Sequence, residues 1–208
     1  MEILKILKRT WRTFRLRYIV RMDKGWGKIG YGSYILTPGI IAGKHNIFLG
    51  DYTHIDWNNK LYCAKGKFIV GNEVTIAAGF TVVTDNHRPL IGEKFRARGN
   101  ENLEPRDVII EDDVWIAINV TLLAGVHIGR GAIIGGGTVL ANKTIPPYAV
   151  VVGNPGKIIG FRFTPNEIVQ HEMSLYPEED RLPLNYLQNN YNSYYVAKKT
   201  EIKEFTRL

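Results

Sequence analysis

From Ile110 onward an aliphatic residue returns every six positions, at Ile110, Ile116, Leu122, Ile128, Ile134 and Leu140. Pro146 keeps the phase, and Val152 and Ile158 resume it. A small or acidic residue usually follows, as at Glu111, Ala117, Gly129, Gly135, Ala141 and Gly153. The same period runs earlier in three sets: Ile29, Ile35, Ile41; Leu49, Ile55, Leu61; and Val70, Ile76, Val82. Neither a helical period of about 3.6 nor a strand period of about 2 yields this spacing. A triangular coil does. Each hexad supplies a short strand and a turn, three hexads close one circuit, and the aliphatic residue points inward onto its equivalent one coil away. The alternative, a β-sandwich of short strands, does not hold one phase over so many hexads.

The pattern predicts an all-β parallel β-helix of about six triangular coils over residues 29–160, with helical additions at both ends. At about 4.8 Å between strands the prism stands ~29 Å tall. The step from Ile110 to Ile128 is 18 residues, whereas Val70 to Ile110 is 40, so about 22 extra residues leave the prism as an excursion loop, 88–109. Residues 1–28 read as a basic amphipathic helix and lead-in. Residues 161–208 read as a helical or irregular tail. In that tail Thr164, Pro165 and Glu167 form a helix-start signature for residues 165–175.

Charge and cysteine content narrow the function classes. The net charge is +7, but residues 1–22 carry seven cations against Glu2 alone, so +6 sits there and +1 is left for everything else. The body therefore lacks the basic stripe that nucleic acid requires. Leu4, Leu7, Trp11, Phe14, Tyr18 and Met22 make an apolar helical stripe with basic residues between. It predicts either a helix resting on an anionic membrane or one that caps the first coil or packs on a neighbouring subunit. Cys63 is the only cysteine, which excludes an internal disulfide and fits a reducing compartment. No apolar run approaches the roughly 20 residues of a membrane span, and no signal-peptide pattern is visible. The expected location is the cytoplasm, peripheral at the inner membrane surface.

The run Val114-Trp115-Ile116-Ala117, the run Ala124-Gly125-Val126-His127-Ile128-Gly129 and the ending Ile145-Pro146-Pro147-Tyr148 through Gly153-Asn154-Pro155-Gly156-Lys157 resemble the hexapeptide-repeat acetyltransferases. That family includes the maltose and galactoside O-acetyltransferases, the xenobiotic acetyltransferases and capsular-polysaccharide acetyltransferases. The resemblance covers about residues 29–163. It implies a left-handed coil, a homotrimer, and acetyl-CoA lying between neighbouring prisms with a catalytic histidine near its thioester.

Of five histidines, only His87 stands where the long loop departs, in Val82-Val83-Thr84-Asp85-Asn86-His87. The family carries its catalytic histidine at the matching point. A free imidazole titrates near pH ~6.5, suited to a general base. Asp85 is the expected orienting carboxylate. His127 is read as stacking with His87 at one corner in a structural or substrate-contact role, and His45 and His54 as surface corners. Cys63 would serve only an acyl-enzyme route. For the cofactor the resemblance points to Ala117, Ile118, Gly136, Asn142, Lys143, Lys157 and Arg162. Asn58, Asn59 and Arg88 are the acceptor-contact candidates. No metal is required. Gly129-Arg130-Gly131 does not open a dinucleotide-binding motif, because Ile134 stands where its last glycine belongs.

These readings converge on direct acetyl transfer to a saccharide hydroxyl in cell-surface polysaccharide or sugar modification, with no nucleic-acid partner. The rivals are an N-acetyltransferase or antibiotic acetyltransferase, a metal-dependent carbonic anhydrase-like β-helix, and an inactive scaffold. Between saccharide transfer and the first of these rivals, the excursion with Arg88, Lys94, Arg96, Arg98 and Arg106 decides by shape and charge.

Overall fold

The computed structural model describes residues 2–14, 25–97 and 99–206, so Arg98 and the stripe positions Tyr18 and Met22 lie outside the described residues. Three parallel sheets form the faces of a left-handed β-helix, and apart from the hairpin Asp85–His87/Leu103–Pro105 and the final strand Lys157–Phe161 each successive strand steps to the next face. The first face carries the rungs Ile29, Leu49, Val70, Ile110, Ile128 and Ile145 in register. The second carries Ile35, Ile55, Ile76, Ile116, Ile134 and Val151. The third carries Ile41, Leu61, Val82, Leu122 and Leu140.

From Leu49 upward these rungs are essentially inaccessible to solvent, and Phe68 and Phe80 fill the wider centre, their rings 5.8 Å apart. Ile29 and Ile41 in the first coil are only partly covered, with Trp26 packed beside them. The outward neighbours of the rungs remain half-exposed, which is why the sequence shows one obligatory apolar position per hexad.

The phase slips once. Ile145, not Pro146, is the rung above Ile128, and Val151, not Val152, lies above Ile134. Only four residues separate Leu140 from Ile145, and Asn142, at φ 43°, makes the shortened corner. Ile158 is not a further hexad either: Lys157–Phe161 turns back and pairs antiparallel with Ala149–Val152.

The described residues include four α-helices besides the prism. Helix α1 spans Glu2–Phe14. Its Ile3, Leu4, Ile6 and Leu7 are exposed, so it does not cap the first coil of its own chain. Helix α2 spans Pro165–Leu175 and begins with a capping box. The Glu167 carboxylate accepts from Thr164 N (2.8 Å) and Oγ1 (2.7 Å), which holds it below the usual carboxylate range. Helices α3, Leu184–Tyr194, and α4, Lys199–Thr206, complete the tail. Helix α2 is fastened to the last coils through buried Glu172. Its carboxylate accepts from Tyr148 Oη (3.1 Å), Arg130 Nη1 (3.4 Å) and Leu182 N (2.5 Å). Burial beside that carboxylate raises the Tyr148 phenol far above its ordinary value.

Candidate active site

The excursion is held by two aspartates at its feet. Asp85 receives N–H bonds from Ala64 (2.8 Å), Lys65 (3.1 Å) and Gly66 (2.9 Å), and a hydroxyl bond from Thr84 (3.0 Å). Asp107 receives Lys67 N at 2.8 Å. Between the feet, Asp85–His87 pairs antiparallel with Leu103–Pro105, placing His87 opposite Leu103. The excursion therefore starts at Asp85, and Val108 already belongs to a first-face strand. That corrects the boundaries 88–109.

This arrangement also corrects the role expected of Asp85. Successive backbone N–H groups of the turn below form a concave anion seat, and the carboxylate occupies it. It points into the neighbouring coil and fixes the stem instead of orienting an imidazole. The His87 side chain is exposed and meets the edge of Phe95, ring centroids 6.5 Å apart. Arg88 is exposed beside it, its backbone tied to Asn102 on both sides (2.9 and 2.6 Å). It lines a hollow of about 580 Å³ with Leu90, Glu101 and Glu104.

His127 does not stack with His87. It lies on the first face beside Ile109, and its Nε2 stands 2.7 Å from Glu111 Oε1. His54 is a strand residue of the second face, stacked on Tyr34 at 5.4 Å, and not a corner. Cys63 is wholly buried, and burial pushes its thiol up to about 12, which removes it as a nucleophile near neutral pH.

The other candidates divide between the two ends of the third face. At the corner entering that face, Asn58, Gly79, Asn119 and Gly137 stack in successive coils through Gly79 N to Trp57 O, Asn119 N to Ala78 O and Gly137 N to Ile118 O. A groove of about 530 Å³ opens here, lined by Pro38, Asn58, Asn59, Ala78 and Ile118 among others. Ile118 is exposed, Ala117 half-buried before it. Gly136 lies one coil above, where an added Cβ would press on Ile118 Cγ2 at 3.3 Å. Ala117, Ile118, Gly136 and Asn58 thus share one strip. Asn59 departs from its expected acceptor role. Its side chain is fully buried and its amide donates to Leu36 O (2.9 Å) and Asp56 O (2.8 Å), serving the corner itself.

At the C-terminal end of the prism, Lys143 and Lys157 meet in a pocket of about 240 Å³ with Lys198, Glu201 and Phe205. Lys143 Nζ donates to Gly156 O at 3.1 Å, and Lys157 Nζ lies 4.8 Å from the Phe205 ring centroid. Lys198 escaped the sequence reading because it belongs to a tail whose packing no periodicity announces. Asn142 is tied to Arg106 Nη1 at 3.1 Å. Arg162 is not with the lysines. It pairs with Asp113 at 2.7 Å at the corner between the first and second faces, which removes it from the phosphate-contact set. Among the described residues no cluster of three or more His, Cys, Asp or Glu could hold a metal ion.

Comparison with known proteins agrees with this geometry. The sequence model for bacterial transferase hexapeptide (six repeats) matches residues 107–142. A chloramphenicol acetyltransferase of Klebsiella aerogenes is 45% identical over 164 residues, covering 64% of this chain and 73% of that protein. A galactoside O-acetyltransferase of Lactococcus lactis is 31% identical over 135 residues, 64% of this chain and 62% of its own. A hexapeptide-repeat acetyltransferase of Vibrio cholerae, solved with acetyl coenzyme A, superposes with a TM-score of 0.60 at 27% identity, over 67% of this chain and 73% of that one.

Proposed function

We propose, for a chain that belongs to the hexapeptide-repeat acetyltransferases, that it moves an acetyl group from acetyl-CoA to a saccharide hydroxyl, working as a homotrimer in the cytoplasm on cell-surface polysaccharide or its sugar precursors. The observation that carries this reading is the placement of an exposed imidazole, His87, on a hairpin anchored to the rigid prism by Asp85 and Asp107. The open Ile118 corner lies at the other end of the same face, about 10 Å of strand away. Each cleft lies between two copies and joins His87 of one to the Ile118 corner of the next.

The chemistry follows. His87 takes the proton of the acceptor hydroxyl as its oxygen attacks the thioester carbonyl. The tetrahedral intermediate collapses with loss of the C–S bond, and the imidazolium returns the proton to the departing CoA thiolate. Asp85 acts indirectly, as a positioning residue for the hairpin. The strip at Ala117, Ile118 and Gly136 suits the pantetheine arm, because bare backbone beside a small apolar surface admits a thin chain closely. Lys143, Lys157 and Lys198 supply cations for the phosphates. Arg88, at the mouth beside His87, and Asn58, on the opposed corner, contact the acceptor.

The 45%-identical relative named chloramphenicol acetyltransferase favours a second reading of the acceptor, an antibiotic hydroxyl in place of a sugar. One assay addresses both: free CoA release from acetyl-CoA with a panel of saccharides and chloramphenicol, for wild type and His87→Ala. Acceptor-dependent release that falls by about 10²–10⁴-fold in the variant supports the mechanism. Undiminished release by His87→Ala removes the base assignment, and no release with any acceptor removes the activity.

A further inference from the structure

Helix α1 combines a solvent-exposed apolar side with a basic one. Ile3, Leu4, Ile6, Leu7 and Trp11 are 73%, 63%, 59%, 59% and 61% exposed. At about 100° per residue these five fall on one arc of roughly 160°. Lys5 and Lys8, also exposed, fall on the opposite side, and Arg9 and Arg12 continue that spacing in the sequence. No residue of α1 belongs to the buried core of the prism.

We propose that α1 docks the protein onto an anionic lipid bilayer, lying in the interface with Ile3, Leu4, Ile6, Leu7 and Trp11 turned into the acyl boundary. Charge selects this occupant. Residues 1–22 carry seven cations against Glu2 alone, a net +6, while the remainder of the chain is near neutral at +1, so this helix is the basic element of the protein. An anionic bilayer supplies both an apolar layer and counter-charge. Among the described residues no helix is long and apolar enough to cross a membrane, and Lys5 and Lys8 break up the apolar positions of α1, so the helix lies in the interface and does not span it. Tryptophan, amphipathic by itself, suits that depth. The inference holds whatever the acceptor of the acetyl group is.

Flotation of the full chain with vesicles tests it. Wild type is expected to float with phosphatidylcholine vesicles containing phosphatidylglycerol, to stay behind with pure phosphatidylcholine, and to detach as salt is raised. Leu4→Glu with Leu7→Glu should reduce flotation at least tenfold, as should Lys5→Glu with Lys8→Glu. Both pairs should keep the thermal midpoint and the mass by light scattering of the wild type. Wild type that does not float with anionic vesicles, floats equally with neutral ones, or is matched by both variants overturns the proposal. So does a fall in mass for the Leu4→Glu, Leu7→Glu protein without vesicles, which would assign the face to a second copy.

Discussion

Two corners of the prism are built from the same turns and put to opposite use. Between the first and second faces, side chains seal the stack. Asp51 accepts from Tyr31 N (2.6 Å), Asn72 from Asp51 N (2.9 Å) and Asp112 from Asn72 N (2.6 Å). Inside them Ser33 and Thr53 make a second ladder. Ser33 Oγ donates to Gly50 O and accepts from Thr53 N, while Thr53 Oγ1 donates to Gly71 O and accepts from Val74 N. Between the second and third faces the backbone ladder is the same, but the outward side chains are Asn58, Ile118 and Asn119, and Gly137 meets nothing within 4 Å of an added Cβ. The contrast teaches that stacking requires only the inward rung and the backbone bonds. One corner spends its outward side chains on cohesion; at the other, only the inward Asn59 and Thr138 bond the turn, and the outward positions stay exposed.

The comparison can be broken at several points. The largest effect is the loss of turnover in His87→Ala, with an unchanged thermal midpoint because the side chain is exposed. On the sealed corner, Thr53→Val strips a fully buried hydroxyl and leaves Gly71 O and Val74 N without that partner. Unfolding stability should fall by about 2–4 kcal/mol, or ~5–10 °C in the midpoint by calorimetry, with kcat retained. On the open corner the reverse is expected. Ile118→Glu should leave the midpoint within a degree or two and raise KM for acetyl-CoA about tenfold, ~1.4 kcal/mol, by placing a carboxylate where an anionic substrate lies.

The smallest effect belongs to the tail. Thr164→Ala should cost about 1 kcal/mol through its lost cap. Glu167 is held below the ordinary carboxylate range by Thr164, so its contribution is present above that range and fades as pH falls through the depressed value. Glu167→Gln should therefore flatten the acid limb of a pH–stability profile of the tail, read by hydrogen exchange in α2.

What could be read beforehand follows the same division. Inward rungs are legible because each repeats the same geometry, so Leu49, Ile76 and Leu122 declare their burial by spacing alone. The departure of the excursion beside His87 is legible because the count of hexads breaks there, and α2 because Thr164 and Glu167 are local partners. Side-chain contacts between coils are not legible: Asp85 finds its donors one coil earlier, but the repeat does not say which side chain fills that turn, and Arg162 finds Asp113 49 positions away, an offset outside the repeat. The Pro146 slip escaped because one residue was lost at the Asn142 corner while an apolar residue, Pro146, happened to keep the phase. Helix α3 escaped because its Asn- and Tyr-rich stretch carries too weak an apolar stripe.

The most direct test of the cleft between copies is complementation. His87→Ala and Ile118→Glu subunits, each poorly active alone at acetyl-CoA below the wild-type KM, are co-refolded in equal amounts. If the base of one copy serves the open corner of the next, about a quarter of the clefts in mixed trimers join an intact imidazole to an intact corner. CoA release should then recover to about that share of wild type. Activity no greater than the mean of the two separate variants would contradict the account.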